Sequence, residues 1–185
     1  MRAGARLGLI AILALLLVSV PKARADDGTN AAKARSLVNA AINMTDSQQA
    51  VKLLWQATDI DPKLQDPYVY LGLYYNSRSQ FDQVIKVYKK LIKNDPNNVG
   101  AYLNIGEAYM SFTPPHGSDA LPYYRKAYKL DPSSAFAALR IGEILAQQGN
   151  RGAALPYLKK AATGGSSSPA AAAEARKILG EIGAM

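Results

Sequence analysis

"YVYLGLYY", from Tyr68 to Tyr75, and "YLNIGEAY", from Tyr102 to Tyr109, place a tyrosine, an aliphatic residue, a glycine and a second tyrosine at matching positions. The aliphatic–glycine pair returns at Ile141-Gly142, after a slightly longer interval than the one from Gly72 to Gly106. Asp-Pro pairs at Asp61-Pro62, Asp95-Pro96 and Asp131-Pro132 step by the same two intervals. Two independent marker series move together, so the chain is built on a repeat of about 34 residues. Within a copy, apolar residues such as Leu71 and Tyr75 fall on one face at helical spacing. Each Asp-Pro pair marks a helix stop, because the residue before proline is driven out of the helical region. The unit is therefore predicted to be two amphipathic helices joined by a short turn.

The markers resemble the tetratricopeptide repeat (TPR), in which an aromatic, Leu-Gly and Tyr are followed by Ala, an aromatic and Pro. One unit supplies Tyr68, Leu71, Gly72, Tyr75, Val84, Tyr88 and Pro96, and the next Tyr102, Ile105, Gly106, Tyr109, Ala120, Tyr124 and Pro132. A weaker copy has Ala138, Ile141, Gly142, Leu145, Ala154 and Leu158, with "TGG" at 163–165 in place of Asp-Pro. A first copy, counted back to Ala34, Leu37, Val38, Ala41, Ala50, Leu54 and Pro62, lacks both the aromatic and the glycine. The resemblance implies an all-α fold, a right-handed α-α superhelix of four helix-turn-helix repeats at 31–64, 65–98, 99–134 and 135–168. Beyond the break "GGSSSP", residues 169–185 are expected as a capping helix with Ile178, Leu179 and Ile182 on its buried face. Asp46 with Gln49 reads as a capping box, and Asp66 and Ser168 as N-caps ahead of Pro67 and Pro169. Gly72 and its equivalents are expected to let a neighbouring helix approach closely.

The stretch from Met1 to Ala25 stands apart from the repeat. Arg2 and Arg6 precede an apolar block from Leu7 to Val20, then Pro21, with small residues at Ala23 and Ala25. This is the pattern of a secretory signal peptide cleaved after Ala25, with 26–30 as a linker, and it predicts export, most simply to a bacterial periplasm. The alternative is an uncleaved N-terminal anchor, although the block is shorter than the roughly 20 residues a membrane-spanning helix needs. Half of the formal charge of +8 comes from Arg2, Arg6, Lys22 and Arg24, so composition gives nucleic-acid binding little support in the mature chain. With no cysteine and one histidine, thiolate and histidine-rich metal chemistry are excluded, and no cofactor is implied.

TPR proteins act chiefly as protein-binding scaffolds, and the resemblance places a partner segment in a concave groove lined by the first helix of each unit. The lining residues carried over are Arg35 and Asn39, then Val69, Tyr70, Leu73 and Asn76. Leu103, Asn104, Glu107 and Met110 follow, and then Phe136, Arg140, Glu143 and Gln147. Tyr70 is the expected anchor, since aromatic residues dominate interfaces. A Lys/Asn carboxylate clamp known in some members is broken here, with Tyr70 and Gly100 at two of its positions, while Arg35 and Arg140 remain to attract an acidic segment. Glu107 and Glu143 lie a whole unit apart and no nucleophile stands beside a base, so no enzyme is expected.

The alternative function is self-assembly or envelope-surface attachment through the convex face. There Trp55 is expected to be exposed or packed on 25–30, and Lys89, Lys90, Lys93, Arg125, Lys126, Lys129, Lys159 and Lys160 form a basic stripe. The two extra residues of the third unit lie between Tyr109 and Ala120, in "YMSFTPPHGSDA". That stretch reads as a lengthened turn with His116 at an exposed tip and Ser118 or Asp119 capping the next helix.

Overall fold

The computed structural model describes residues 23–164 and 168–183, with side chains from residue 28 onward. The expected signal sequence up to residue 22 lies outside them. Among the described residues all regular structure is helical: α1 (Ala23–Ile42), α2 (Ser47–Ile60), α3 (Asp66–Asn76), α4 (Phe81–Asn94) and α5 (Val99–Met110). There follow α6 (Gly117–Leu130), α7 (Ala135–Gln147), α8 (Arg151–Thr163) and α9 (Pro169–Glu181). Each of α1 to α8 packs on the next helix in sequence, and α9 rests on both α7 and α8. The result is a solenoid of four helix pairs and a ninth helix. Residues 26–30, expected as a linker, are instead helical and part of α1. Gly28 opposes a helix by about 1 kcal/mol, and Thr29 and Asn30 are weak helix formers too, so local propensity gave no sign of this extension.

The Asp-Pro markers owe their recurrence to one hydrogen-bonded turn. Asp61, Asp95 and Asp131 each follow a second helix, and their backbone N–H groups donate to Ala57, Leu91 and Ala127. Their carboxylates then accept from the N–H two residues on: Lys63 at 3.1 Å, Asn97 at 3.3 Å and Ser133 at 3.0 Å. The leading tyrosines complete the joint. Tyr68 donates its hydroxyl to the carbonyl of Pro62 at 3.0 Å, and Tyr102 to that of Pro96 at 3.2 Å. Where the fourth unit has "TGG", Gly164 ends α8, and a Cβ there would stand 2.6 Å from the Cβ of Ala135. Glycine thus lets α8 close against the start of α7.

Local capping is mostly as the residues suggest. Asp46 accepts from the N–H of Gln48 and Gln49 at 2.9 and 3.1 Å, holding the start of α2. Asp66, expected as a cap, is the first residue of α3, because Gln65 carbonyl already accepts from Tyr68 and Val69. Ser168 stands at the cap of α9, but its side chain makes no capping bond.

The turns inside the second and fourth pairs use a left-handed residue. Gly149 supplies it between α7 and α8 at φ 77°, and Ser79, at the equivalent place between α3 and α4, adopts φ 55°. A side chain makes that conformation costly by about 1 kcal/mol. The third unit carries its two extra residues in this same turn, between α5 and α6.

The core runs the length of the solenoid. Leu54, Tyr68, Leu71, Val84 and Ile105 belong to its amino-terminal part, and Tyr124, Ile141, Ile144 and Leu158 to its carboxy-terminal part. Half-buried Tyr109 packs against both. Beyond them α9 buries Ala171, Ala172, Ala175, Ile178 and Leu179, covering the apolar end that a solenoid otherwise exposes.

Candidate functional site

Successive first helices leave clefts between them on one face of the solenoid, and these clefts gather half of the expected lining residues. Between α1 and α3 the walls include Ile42, Met44, Tyr70 and Tyr74. Between α3 and α5 they include Leu73, Asn76, Asn104 and Glu107. Between α7 and α9 they include Glu143, Gln147, Ile178 and Glu181. The large apolar side chains left exposed among the described residues, Ile42, Met44, Val69, Tyr70 and Leu73, all lie near the amino-terminal end of this face. Leu73 is 62% exposed and Tyr70 40%, although neighbours on the same helix such as Leu71 are wholly buried. Arg35 and Asn39 are exposed on α1, outside the residues that line these clefts.

Arg140 is not the free cation for an acidic segment that the sequence suggests. From α7 its Nε and Nη2 donate to the two carboxylate oxygens of Glu107 on α5, at 2.8 and 2.7 Å. Its Nη1 donates to Glu143 at 3.0 Å, one turn along its own helix. The guanidinium also lies 5.2 Å from the centre of the Phe136 ring. Tyr124, fully buried on α6, donates its hydroxyl to the same Glu107. Burial works against the charge of Arg140, but Glu107 and Glu143 outweigh it and raise its pKa further. A guanidinium already shared by two carboxylates has little left for an acidic segment. The broken clamp stays broken for the same reason, and Asn104 turns its amide back to the carbonyl of Gly100 at 2.8 Å.

The buried tyrosines give the fold an alkaline limit. Burial pushes the Tyr68 phenol up to about 12, aided by Asp59 and Asp61. It raises Tyr88 as well, and Tyr124 strongly, where the bond to Glu107 adds to it. A phenol whose pKa rises on folding gives stability that is complete below its unfolded value near 10 and is lost as pH climbs towards the folded value. Urea denaturation is therefore expected to show stability falling with increasing slope above pH 10, and Tyr124→Phe to flatten that slope. A stability independent of pH in that range would refute the assignment.

Two family models match the chain, one described as TPR repeat over residues 72–111 and one as tetratricopeptide repeat over residues 116–172. The chain carries tetratricopeptide repeats. A crystal structure of MamA is similar over 79% of this chain and 88% of its own, at 21% identity and a TM-score of 0.61. MamA from Desulfovibrio magneticus RS-1 (residue 41 to the end) is similar over 73% and 77%, at 19% identity and a TM-score of 0.57. The TPR2B domain of yeast Sti1, solved in complex with pHsp70, is similar over 60% and 89%, at 22% identity and a TM-score of 0.53. At these identities the likeness is one of fold. No curated protein matches the sequence.

In the TPR register, the clefts fall on equivalent positions of successive units. Several outer residues have other duties. Trp55 does not stand free: its Nε1 donates to the Tyr75 hydroxyl at 3.2 Å, and Lys90 lies 5.4 Å from its ring centre. Lys90 also pairs with Asp59 and donates to the buried Thr58 at 2.9 Å. Lys89 lies 5.9 and 5.8 Å from the rings of Tyr109 and Tyr123, and Lys126 lies 5.9 Å from that of Tyr102. The basic stripe is thus partly structural, while Lys93, Arg125, Lys129, Lys159 and Lys160 remain at least partly exposed. His116 has partners too. Its ring stacks on Phe112 at 4.7 Å, its N–H donates to Tyr109 carbonyl at 3.0 Å, and it stands at the cap position of α6. Helix α6 therefore begins at Gly117, before Ser118 and Asp119.

Proposed function

We propose that the chain is an exported, non-catalytic TPR scaffold that receives a segment of a partner protein in the concave groove lined by its first helices. The observation that carries this reading is the exposure of Val69, Tyr70 and Leu73 beside Ile42 on helices that bury Val38, Tyr68 and Leu71. Burying such a patch contributes about 25 cal/mol per Å² of apolar area, and exposed apolar clusters mark interaction surfaces. Asn76 and the side-chain oxygen of Asn104 beside it offer polar groups to a bound backbone. The complex of the Sti1 TPR2B domain with pHsp70 supports the reading by analogy of fold.

Export rests on the three-part pattern between Met1 and Ala25, with cleavage after Ala25. The convex-face alternative is less well supported, since Trp55 and Lys90 are committed to packing within the chain. Replacing Tyr70 and Asn104 together with alanine is expected to abolish crosslinking to the partner in the native envelope while leaving the melting temperature unchanged. Crosslinks that persist in this variant would remove the groove from consideration.

A further inference from the structure

The inner face changes character along its length. Tyr70, Asn104, Arg140 and Glu174 stand at one equivalent position of successive units. The cleft between α1 and α3 is apolar, with Ile42, Tyr70 and Tyr74 in its walls. The cleft between α7 and α9 is lined by Ile178 and Ile182 together with Glu143, Glu174 and Glu181. Arg140 is shared between Glu107 and Glu143, and Lys177 pairs with Glu174 at 3.2 Å. Four carboxylates thus face two cations, and Glu181 shares the charge of Lys177 with Glu174, which holds the close contact. The chain as a whole has more lysine and arginine than acid, with much of the excess on the second helices, so the acidic end is a feature of this face and not of composition.

Resting on the groove reading above, we infer that the groove takes a bipartite segment in one direction. Its apolar side chains lie against α1 and α3, and its lysine or arginine side chains enter the cleft between α7 and α9. The methylene stems of such residues suit Ile178 and Ile182, while their charged ends meet Glu143, Glu174 and Glu181. Complementary charge sets direction and encounter rate, and it makes the acidic end sensitive to salt.

Panning a random displayed-peptide library against the full chain tests this, with the recovered sequences resynthesised for affinity measurement. Peptides are expected to carry apolar residues at one end and Lys or Arg at the other. Their affinity is expected to fall about tenfold or more in the Glu174→Lys/Glu181→Lys variant and in high salt. Both positions are exposed, and circular dichroism checks that the variant keeps its fold. A spin label on the basic end is expected to broaden resonances of α9, and one on the apolar end those of α3. Peptides that depend on Tyr70 but carry no basic excess, or that bind the charge-reversed variant equally well, overturn the inference and leave the groove reading standing. Recovery of no peptide that depends on Tyr70 overturns both. Oligomers that dissociate on charge reversal would make a second copy the occupant and also overturn it.

Discussion

Gly106→Ala is expected to destabilise the fold by about 2–3 kcal/mol, even though alanine is the better helix former by about 1 kcal/mol. A Cβ at Gly106 would stand 2.6 Å from two ring carbons of Tyr124. Tyr124 has nowhere to go: it is fully buried, and its hydroxyl is held by Glu107. The new methyl must either push α5 off α6 or break that bond. Gly100, on the same helix, is the control. Its Cβ would meet nothing nearer than Asn98 Oδ1 at 3.6 Å, so Gly100→Ala is expected to stabilise by about 0.5–1 kcal/mol. Adding Tyr124→Leu to Gly106→Ala should recover part of the loss by removing the steric conflict. Urea denaturation of the four proteins decides the matter. Equal stability of Gly106→Ala and the parent would mean that the close approach is not what the glycine serves.

The same contact explains why this part of the fold is legible in sequence. Gly72, Gly106 and Gly142 each face one bulky residue of the partner helix, Tyr88, Tyr124 and Leu158, so both members recur at the repeat spacing. The Asp-Pro joints are legible for a related reason, since the whole hydrogen-bonded turn lies within a few consecutive residues. What escapes a reading by markers is contact between units. Lys90 reaches Asp59 across 31 residues, and Arg140 reaches Glu107 across 33, the same offset once the two inserted residues are allowed for. Equivalent residues one period apart stack in neighbouring units, but opposite charges meet one helical turn short of that period. A search for opposite charges at this shortened offset would have found both. Trp55 follows a similar rule: it bonds Tyr75 across 20 residues, the separation at which Lys89 meets Tyr109 one unit later. His116 had no such signal, because the insertion that places it on Phe112 has no counterpart elsewhere in the chain.

Arg140→Ala is expected to cost about 2–3 kcal/mol, less than the loss of a partner from a fully buried pair because water reaches this one in part. The side chains of Arg140, Glu107 and Glu143 are 25%, 38% and 23% exposed. The loss comes less from the broken bonds than from what remains: two carboxylates facing each other across α5 and α7 with no cation between them. Three comparisons separate this from a simple loss of packing on Phe136. Arg140→Lys keeps the charge but cannot present two parallel N–H groups to Glu107, so it is expected to restore only part of the stability. Arg140→Ala combined with Glu107→Gln should be less destabilised than Arg140→Ala alone, a coupling of about 1 kcal/mol or more. Adding Glu143→Gln to that double variant should narrow the gap to the parent further; lost packing would leave it unchanged. A rim cation would give a variant within about 0.5 kcal/mol of the parent at neutral pH, and that result would return Arg140 to the surface role its sequence position suggests. If the loss is as large as expected, Arg140 serves first to tie α5 to α7, and the acidic end of the groove keeps its negative charge for whatever binds there.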